Sequence, residues 1–396
     1  MPGHSPDYPD ELAQIVAELN RAANPDHSPK PRATTSVPAS TSSGSLDQLL
    51  ALAVRRAASD VLLIAGAPVT LRIAGSLVAA GPPLVAPLDA EDARNLLLPL
   101  LSQAQGHELQ RTKSVDLCFS REGIGRFRAN IHHQRGTVAG SIRLLPEKVP
   151  TLESLHLPAT LRRFAEARQG LVLITGPTGC GKSSTLAALI DLINTNRHDH
   201  VVTIEDPIEF VHGNRQSVIE QIEIGQDAPD FAGSLRSILR QNPDVILVGE
   251  MRDPETIATV LTAAETVHLV LSTLHTNDTS QAVSRILDSF PASNQPQIRQ
   301  QLSLALLAVV AQQLVPAASG ARYPAVEILM ASTGVRNLIR KGDDHQLYTA
   351  LSTGRAEGMI TMEQSLAEMT RSGRITRETA LAHGFRAEAL SRYLED

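Results

Sequence analysis

The chain has 396 residues, 42% hydrophobic and 20% charged, enough for two soluble domains, each with its own core. A formal net charge of −6, no Trp and only 3% aromatic residues give it neither a global attraction to polyanions nor stacking platforms, so no nucleic-acid partner is expected. Its two cysteines, Cys118 and Cys180, form no C-x-x-C pair, which excludes a disulfide framework or a cysteine zinc cluster and fits a reducing compartment.

The start, Met1-Pro2-Gly3-His4-Ser5-Pro6, lacks the basic and apolar stretches of a signal peptide, and no run of about 18 apolar residues follows; a cytoplasmic protein is expected. Glu11 to Ala22 has the spacing of one short amphipathic helix, but residues 1–45 as a whole are Pro-, Ser- and Thr-rich and read as a disordered extension. Order begins near Ser45. Leu46, Leu49, Leu50 and Val54 have helical spacing, followed by strand-like runs at Val61–Ile64, Val69–Ile73 and Leu77–Val78. A helix over Glu91–Gln105 and paired strands at Val115–Phe119 and Arg126–Ile131 complete a mixed α+β domain over 46–146, with a linker at 147–156.

From 157 to 396 the pattern changes. Strands at 171–175, 201–205, 245–249 and 269–274 alternate with helical segments, as in a doubly wound parallel sheet. Leu302 to Val315 reads as a buried helix, and Ala325–Met330 as one more strand.

The apolar run Leu171–Thr175 leads into Gly176-Pro177-Thr178-Gly179-Cys180-Gly181-Lys182-Ser183, a complete G-x-x-x-x-G-K-S phosphate loop continued by Ser184 and a helical segment with Leu186, Leu189, Ile190 and Ile193. Its glycines let backbone N–H groups turn toward phosphate oxygens, and the helix start adds positive potential. Lys182 would reach the β- and γ-phosphates and Ser183 would ligate Mg²⁺, which makes ATP the expected ligand. Cys180, inside the loop, reads as an incidental small residue, with redox sensing as the alternative.

Three further strand ends carry polar groups. In Asp244-Val245-Ile246-Leu247-Val248-Gly249-Glu250, an acid after four apolar residues stands where a carboxylate meets Mg²⁺, here Glu250 in place of the usual Asp. In Thr203-Ile204-Glu205-Asp206-Pro207-Ile208-Glu209, one carboxylate would orient or deprotonate the attacking water, and spacing alone leaves Glu205, Asp206 and Glu209 open. Leu271–Asp278 brings His275 to a third strand end, where it could hydrogen-bond the γ-phosphate or its water, while His268 on the same strand reads as structural.

The segments GPTGCGKSSTLAALI, TIEDPIEF, ILVGEMRD and STLHTND, in this order, resemble the secretion ATPase superfamily that powers type II secretion and type IV pili. The likeness runs from Leu46 to Gly384 and is greatest to the PilT-like retraction ATPases of type IV pili. A short domain before the loop, a missing four-cysteine zinc motif and Val335-Arg336-Asn337-Leu338-Ile339-Arg340 favour that branch. The resemblance implies a PAS-like N-terminal domain, a RecA-like ATPase domain and a homo-hexameric ring. It also implies a pilus platform protein of the inner membrane as partner and a paralogous motor as a further one. It assigns Glu209 as catalytic glutamate, Glu250 to the Walker B segment, His268 and His275 to a His box, and Arg126, Arg128, Arg135 and Arg143 to the nucleotide. Val267 replaces a glycine usual in the family, Leu62 a histidine, Val335 an alanine, and the extension before residue 45 is extra. A motor of a related secretion or conjugation machine, or a nucleotide-binding accessory subunit, are the alternatives.

Overall fold

The computed structural model describes residues 45–81, 86–317 and 320–395; the sequence reading of residues 1–44, including a helix over Glu11–Ala22, lies outside them. The first described helix, α1 (Leu46–Arg55), is capped by Ser45, whose hydroxyl accepts from the Gln48 N–H. Around it lies a sheet of β1 (Asp60–Leu63), β2 (Thr70–Ile73), β3 (Ser76–Ala79), β4 (Ser114–Arg121), β5 (Gly125–Gln134) and β6 (Thr137–Leu145), ordered β3-β2-β1-β6-β5-β4. Every pairing in it is antiparallel.

The alternation of β5 decides which face does what. Phe127, Ala129 and Ile131 are fully buried in the core of this unit, whereas Arg126 and Arg128 have the opposite parity. The expected helix over Glu91–Gln105 is instead two, α2 (Ala90–Leu97) and α3 (Gln103–Thr112). Pro99 sits in a single 3₁₀ turn between them, and Ser102 and Gln105 form a reciprocal capping box that starts α3 afresh.

After α4 (Arg162–Glu166), the chain enters β7 (Gly170–Thr175), α5 (Lys182–Asn196), β8 (His200–Glu205), β9 (Val218–Glu223) and α6 (Phe231–Ile238). Then come β10 (Val245–Val248), α7 (Pro254–Thr266), β11 (Leu269–Leu274), α8 (Thr279–Asp288), α9 (Gln295–Ala305), β12 (Leu306–Pro316) and β13 (Arg322–Met330). The seven strands run in the order β13-β12-β7-β11-β10-β8-β9. All are parallel to their neighbours except β13, which is antiparallel to β12. Two apolar clusters, one containing Leu173, Ile246 and Val270 and the other Val172, Leu247 and Leu271, lie on the two faces, as in α/β proteins whose sheets are covered on both sides.

The segment Leu302–Val315 is not one helix. Helix α9 stops at Ala305, Leu306 turns extended (ψ 131°), and an 11-residue strand follows between β7 and β13. Arg336 makes the stop workable by donating to the carbonyls of Ser303 and Leu304, which have no partner further along the helix. Helices α10 (Thr333–Lys341), α11 (Leu347–Thr353), α12 (Met362–Arg371), α13 (Arg377–His383) and α14 (Ala387–Glu395) complete the chain. Of these, α12 to α14 pack on Val315 and Ala325, at the far end of the β12–β13 pair.

Candidate nucleotide site

Strand β7 is buried at every residue and delivers the chain to the loop 176–183. Gly176, Gly179 and Gly181 have φ of 144°, 79° and 93°, a region where a side chain would strain the backbone. Lys182 opens α5, and its Nζ donates to the carbonyls of Gly176 (2.9 Å) and Pro177 (3.1 Å), folded back over the loop. Burial pushes its amine below the usual lysine range, against the pull of Cys180, Glu250 and Glu209.

The loop opens onto a cavity of about 530 Å³ at the carboxyl ends of β8, β10 and β11, the place where open parallel sheets bind ligands. Thr178, Gly179, Gly181, Lys182, Ser183 and Ser184 form one wall; Glu205, Asp206, Glu209, Glu250, Arg252 and His275 line the sheet ends; Arg128 and Arg143 reach in from the other sheet. Pro177 and Cys180 complete the loop behind this wall, Cys180 buried.

The three acids left open by spacing differ in their commitments. Glu205 accepts from Thr203 Oγ1 (2.7 Å) and Gln221 Nε2 (3.0 Å), and burial pushes its carboxyl above the usual range. The Glu209 carboxylate accepts no hydrogen bond among the described residues, and it acts on Lys182 through space; Asp206 is exposed. Glu250 is gripped by Arg252 (2.6 Å) and lies 3.5 Å from His275 Nε2. The cation two residues past Glu250 is a partner that the sequence reading left aside, although Glu-Met-Arg-Asp displays it.

Arg128 and Arg143 are direct cross-strand neighbours on β5 and β6. Like charges placed opposite each other are unfavourable, and among the described residues Asp60, 3.1 Å from Arg143, and Asp116, 3.9 Å from Arg128, offset them. An anion in the cavity would meet both guanidinium groups. Arg126 acts differently: its guanidinium donates to the backbone carbonyls of Ile208 (3.0 Å) and Glu209 (3.2 Å), clamping the acidic loop rather than lining the cavity.

Besides Arg126, two more expected residues are not brought to this cavity. His268 precedes β11 at its amino end, with Nδ1 near the Ala263 carbonyl (3.1 Å) and Thr266 Oγ1 (3.3 Å), while His275 follows the carboxyl end. Arg135, with φ 47°, occupies the β5–β6 turn, at the end of β5 away from Arg126. Val267 caps α7 and is 69% exposed, so its side chain is accommodated within this chain without a clash.

The donor set fits Mg²⁺. Among the described residues no group of three or more His, Cys, Asp and Glu side chains could hold a metal alone. The Ser183 hydroxyl and the Glu250 carboxylate are hard oxygen donors beside the phosphate loop, and Mg²⁺ commonly takes one or two protein ligands plus substrate phosphates.

A strand–loop–helix with a buried lysine, facing acids on neighbouring parallel strand ends, defines a phosphate-loop nucleotide-binding α/β protein. Residues 142–383 match the type II/IV secretion system protein family. The chain is 40% identical over 335 residues to the type IV pilus retractation ATPase PilT of Pseudomonas aeruginosa, covering 85% of this chain and 96% of the relative. It is 45% identical over 305 residues to a twitching motility protein of Neisseria gonorrhoeae, covering 77% and 82%. A crystal structure of the pilus retraction motor PilT with bound ADP is 41% identical with a TM-score of 0.81, over 88% of this chain and 99% of that one. The chain belongs to the type II/IV secretion system protein family, and its fold is that of a secretion ATPase. Among the described residues no helix is long and apolar enough to cross a membrane.

Proposed function

We propose that this chain is an ATP-hydrolysing motor subunit that drives type IV pilus retraction, and with it twitching motility. The observation that carries the reading is one cavity in which Lys182, Ser183, Glu209, Glu250 and His275 face Arg128 and Arg143 of the other sheet, in a chain 40% identical to a retraction ATPase over nearly the whole length of both.

ATP binds with its phosphates on the loop, where Lys182 leaves the Gly176 and Pro177 carbonyls to meet the β- and γ-phosphates. Ser183 and Glu250 would hold Mg²⁺, which when bound neutralises charge on the phosphate oxygens. Glu209, the unpaired carboxylate, takes a proton from water as the water oxygen bonds to the γ-phosphorus; the bond to the bridging oxygen breaks, giving ADP and phosphate. Arg128 and Arg143 stabilise the charge that spreads onto the transferring group, and His275 with Arg252 keeps Glu250 in place.

The domain over 46–146 and the ATPase domain over 157–396 share the nucleotide between them, and 147–156 is the hinge. Rotation of one against the other, repeated around a homo-hexameric ring, would turn an inner-membrane platform protein, to which the ring is bound from the cytoplasm, with a paralogous motor able to share the task. His268, at the amino end of β11 and held against the Ala263 carbonyl, is assigned a structural role rather than phosphate contact. A secretion machine is the second reading, since the family takes in type II and type IV secretion. Deletion of the chain's gene in its own cells, with complementation by wild type or Glu209→Gln, separates them: hyperpiliated, non-twitching cells rescued by wild type alone support retraction, and unchanged piliation with lost secretion supports the second.

A further inference from the structure

Strand β12 carries two consecutive glutamines, and successive side chains of a strand leave opposite faces. Gln313 donates to the carbonyl of His383 (2.9 Å), at the end of α13. Gln312 points the other way, is 3% exposed, and commits one end of its amide to the phosphate loop and the other to the first turn of α5. Its Nε2 donates to the Cys180 carbonyl at 2.6 Å, and its Oε1 accepts from Thr185 Oγ1 at 2.8 Å. The contact is close enough to restrict the loop's composition. A Cβ on Gly176 would lie 2.1 Å from the Gln312 backbone oxygen, and one on Gly181 would lie 2.8 Å from Gln312 Nε2.

The bond to Cys180 has a directional effect. The Cys180–Gly181 peptide is trans, so its carbonyl and the following N–H lie in one rigid plane and point in opposite directions within it. Tying the carbonyl backward to Gln312 turns the Gly181 N–H forward, toward the cavity that Gly181 lines. A phosphate loop binds through N–H groups aimed before the ligand arrives, and groups aimed in advance bind without the cost of ordering them.

We propose that Gln312 is a positioning residue for the nucleotide: from a strand outside the loop it sets the Cys180–Gly181 peptide plane and so aims the Gly181 N–H at a phosphate oxygen. The inference rests on the nucleotide reading of the site. Its consequence is a loop whose phosphate affinity depends on a residue about 130 positions further along the chain.

The test uses the full chain, ADP titration by calorimetry and steady-state ATP hydrolysis. Gln312→Leu, which fills the site without a donor, is expected to weaken ADP binding tenfold or more and to raise KM for ATP in proportion. Because the reacting groups lie elsewhere, kcat should change less than threefold. Gln312→Glu keeps an acceptor for Thr185 but sets a carboxylate against the Cys180 carbonyl. Its ADP affinity relative to wild type should be poor at pH 8 and improve toward pH 6, as the protonated carboxyl regains a donor. That pH trend decides the matter should the leucine variant fail to fold. Gln313→Leu should leave ADP affinity unchanged. Wild-type ADP affinity within twofold in Gln312→Leu, a loss carried by kcat alone, or a flat pH profile in Gln312→Glu overturns the proposal. Failure of the wild type itself to bind ADP overturns instead the nucleotide reading beneath it.

Discussion

The Thr175 hydroxyl donates to the Thr276 carbonyl at 2.7 Å and accepts from the Thr276 N–H at 3.0 Å, joining the last residue of β7 to the segment just past His275. Both residues are buried, so the strand that enters the phosphate loop and the strand end that carries the histidine are held as one piece. Thr175→Val keeps the shape but loses these bonds and the 2.6 Å contact with the Thr276 hydroxyl, leaving a buried N–H unpaired. A loss of about 1–3 kcal/mol in unfolding free energy is expected. Because His275 is displaced relative to Glu250, kcat should fall while ADP affinity stays near wild type. Denaturant unfolding and steady-state kinetics on the same variant measure both.

Glu209 and Glu205 stand four residues apart and separate cleanly by substitution. Glu209→Gln removes the proton acceptor, with an expected fall in kcat of about 10²- to 10⁴-fold and ADP binding nearly unchanged. Glu205→Gln should leave turnover within about threefold, since Gln can still accept from Thr203 and the carboxyl is already engaged there and by Gln221. Equal losses in both variants would move the base role away from Glu209. Single-turnover phosphate release distinguishes the two.

The phosphate loop was legible because its octapeptide, the strand before it and the helix after it each carry their own signal. The carboxyl-end acids were legible for the same reason, since Pro207 and Gly249 stop their strands. Strand β12 was not legible: its first part, Leu306–Ala311, is a continuous apolar run of the kind a doubly covered strand shows, and with α9 before it Leu302–Val315 is long enough to be read as a helix. No glycine or proline marks the turn at Leu306; a side-chain cap from Arg336, some thirty residues on, ends the helix instead. Strand β9 was missed because its half-polar Val218–Glu223 sits at the sheet edge. The position of His268 could have been read, since a residue before a parallel strand lies at the end opposite the ligand crevice.

Glu327 gives the chain a measurable pH signature. It is 1% exposed, its Oε1 accepts from the Thr279 N–H and hydroxyl, and its Oε2 has no hydrogen-bond partner among the described residues. Burial raises its carboxyl above the ordinary value of 4.5, with Asp278 and Glu363 adding to the rise. A raised carboxyl holds its proton longer in the folded chain than in the unfolded one. Its stabilising effect is therefore complete below the ordinary value and is lost as pH climbs through the folded-state value. Glu327→Gln does not titrate, so its melting temperature minus that of wild type should increase from pH 5 to pH 8. A difference that is constant across that range would contradict the assignment.

Cys180 lies in the phosphate loop yet is unsuited to redox sensing. It is 3% exposed, and burial pushes its thiol above the usual range despite Lys182 nearby. Cys118 is pushed up to about 11, chiefly by burial. Thiolates are the reactive form, so both should alkylate slowly at neutral pH. Treatment with N-ethylmaleimide at pH 7 for minutes should leave ATP turnover intact, and unfolding the chain first should expose both thiols to labelling.

The sheet order places β12 directly against β7, so the strand feeding the phosphate loop has one neighbour supplied by residues 306–316. During synthesis, a nascent chain that has left the ribosome only as far as α9 already contains the whole octapeptide. It still lacks the strand that covers one edge of β7 and the amide that holds the Cys180 carbonyl. Until β12 arrives, one edge of β7 is an apolar row of unpaired backbone groups, the kind of edge that other chains can pair with.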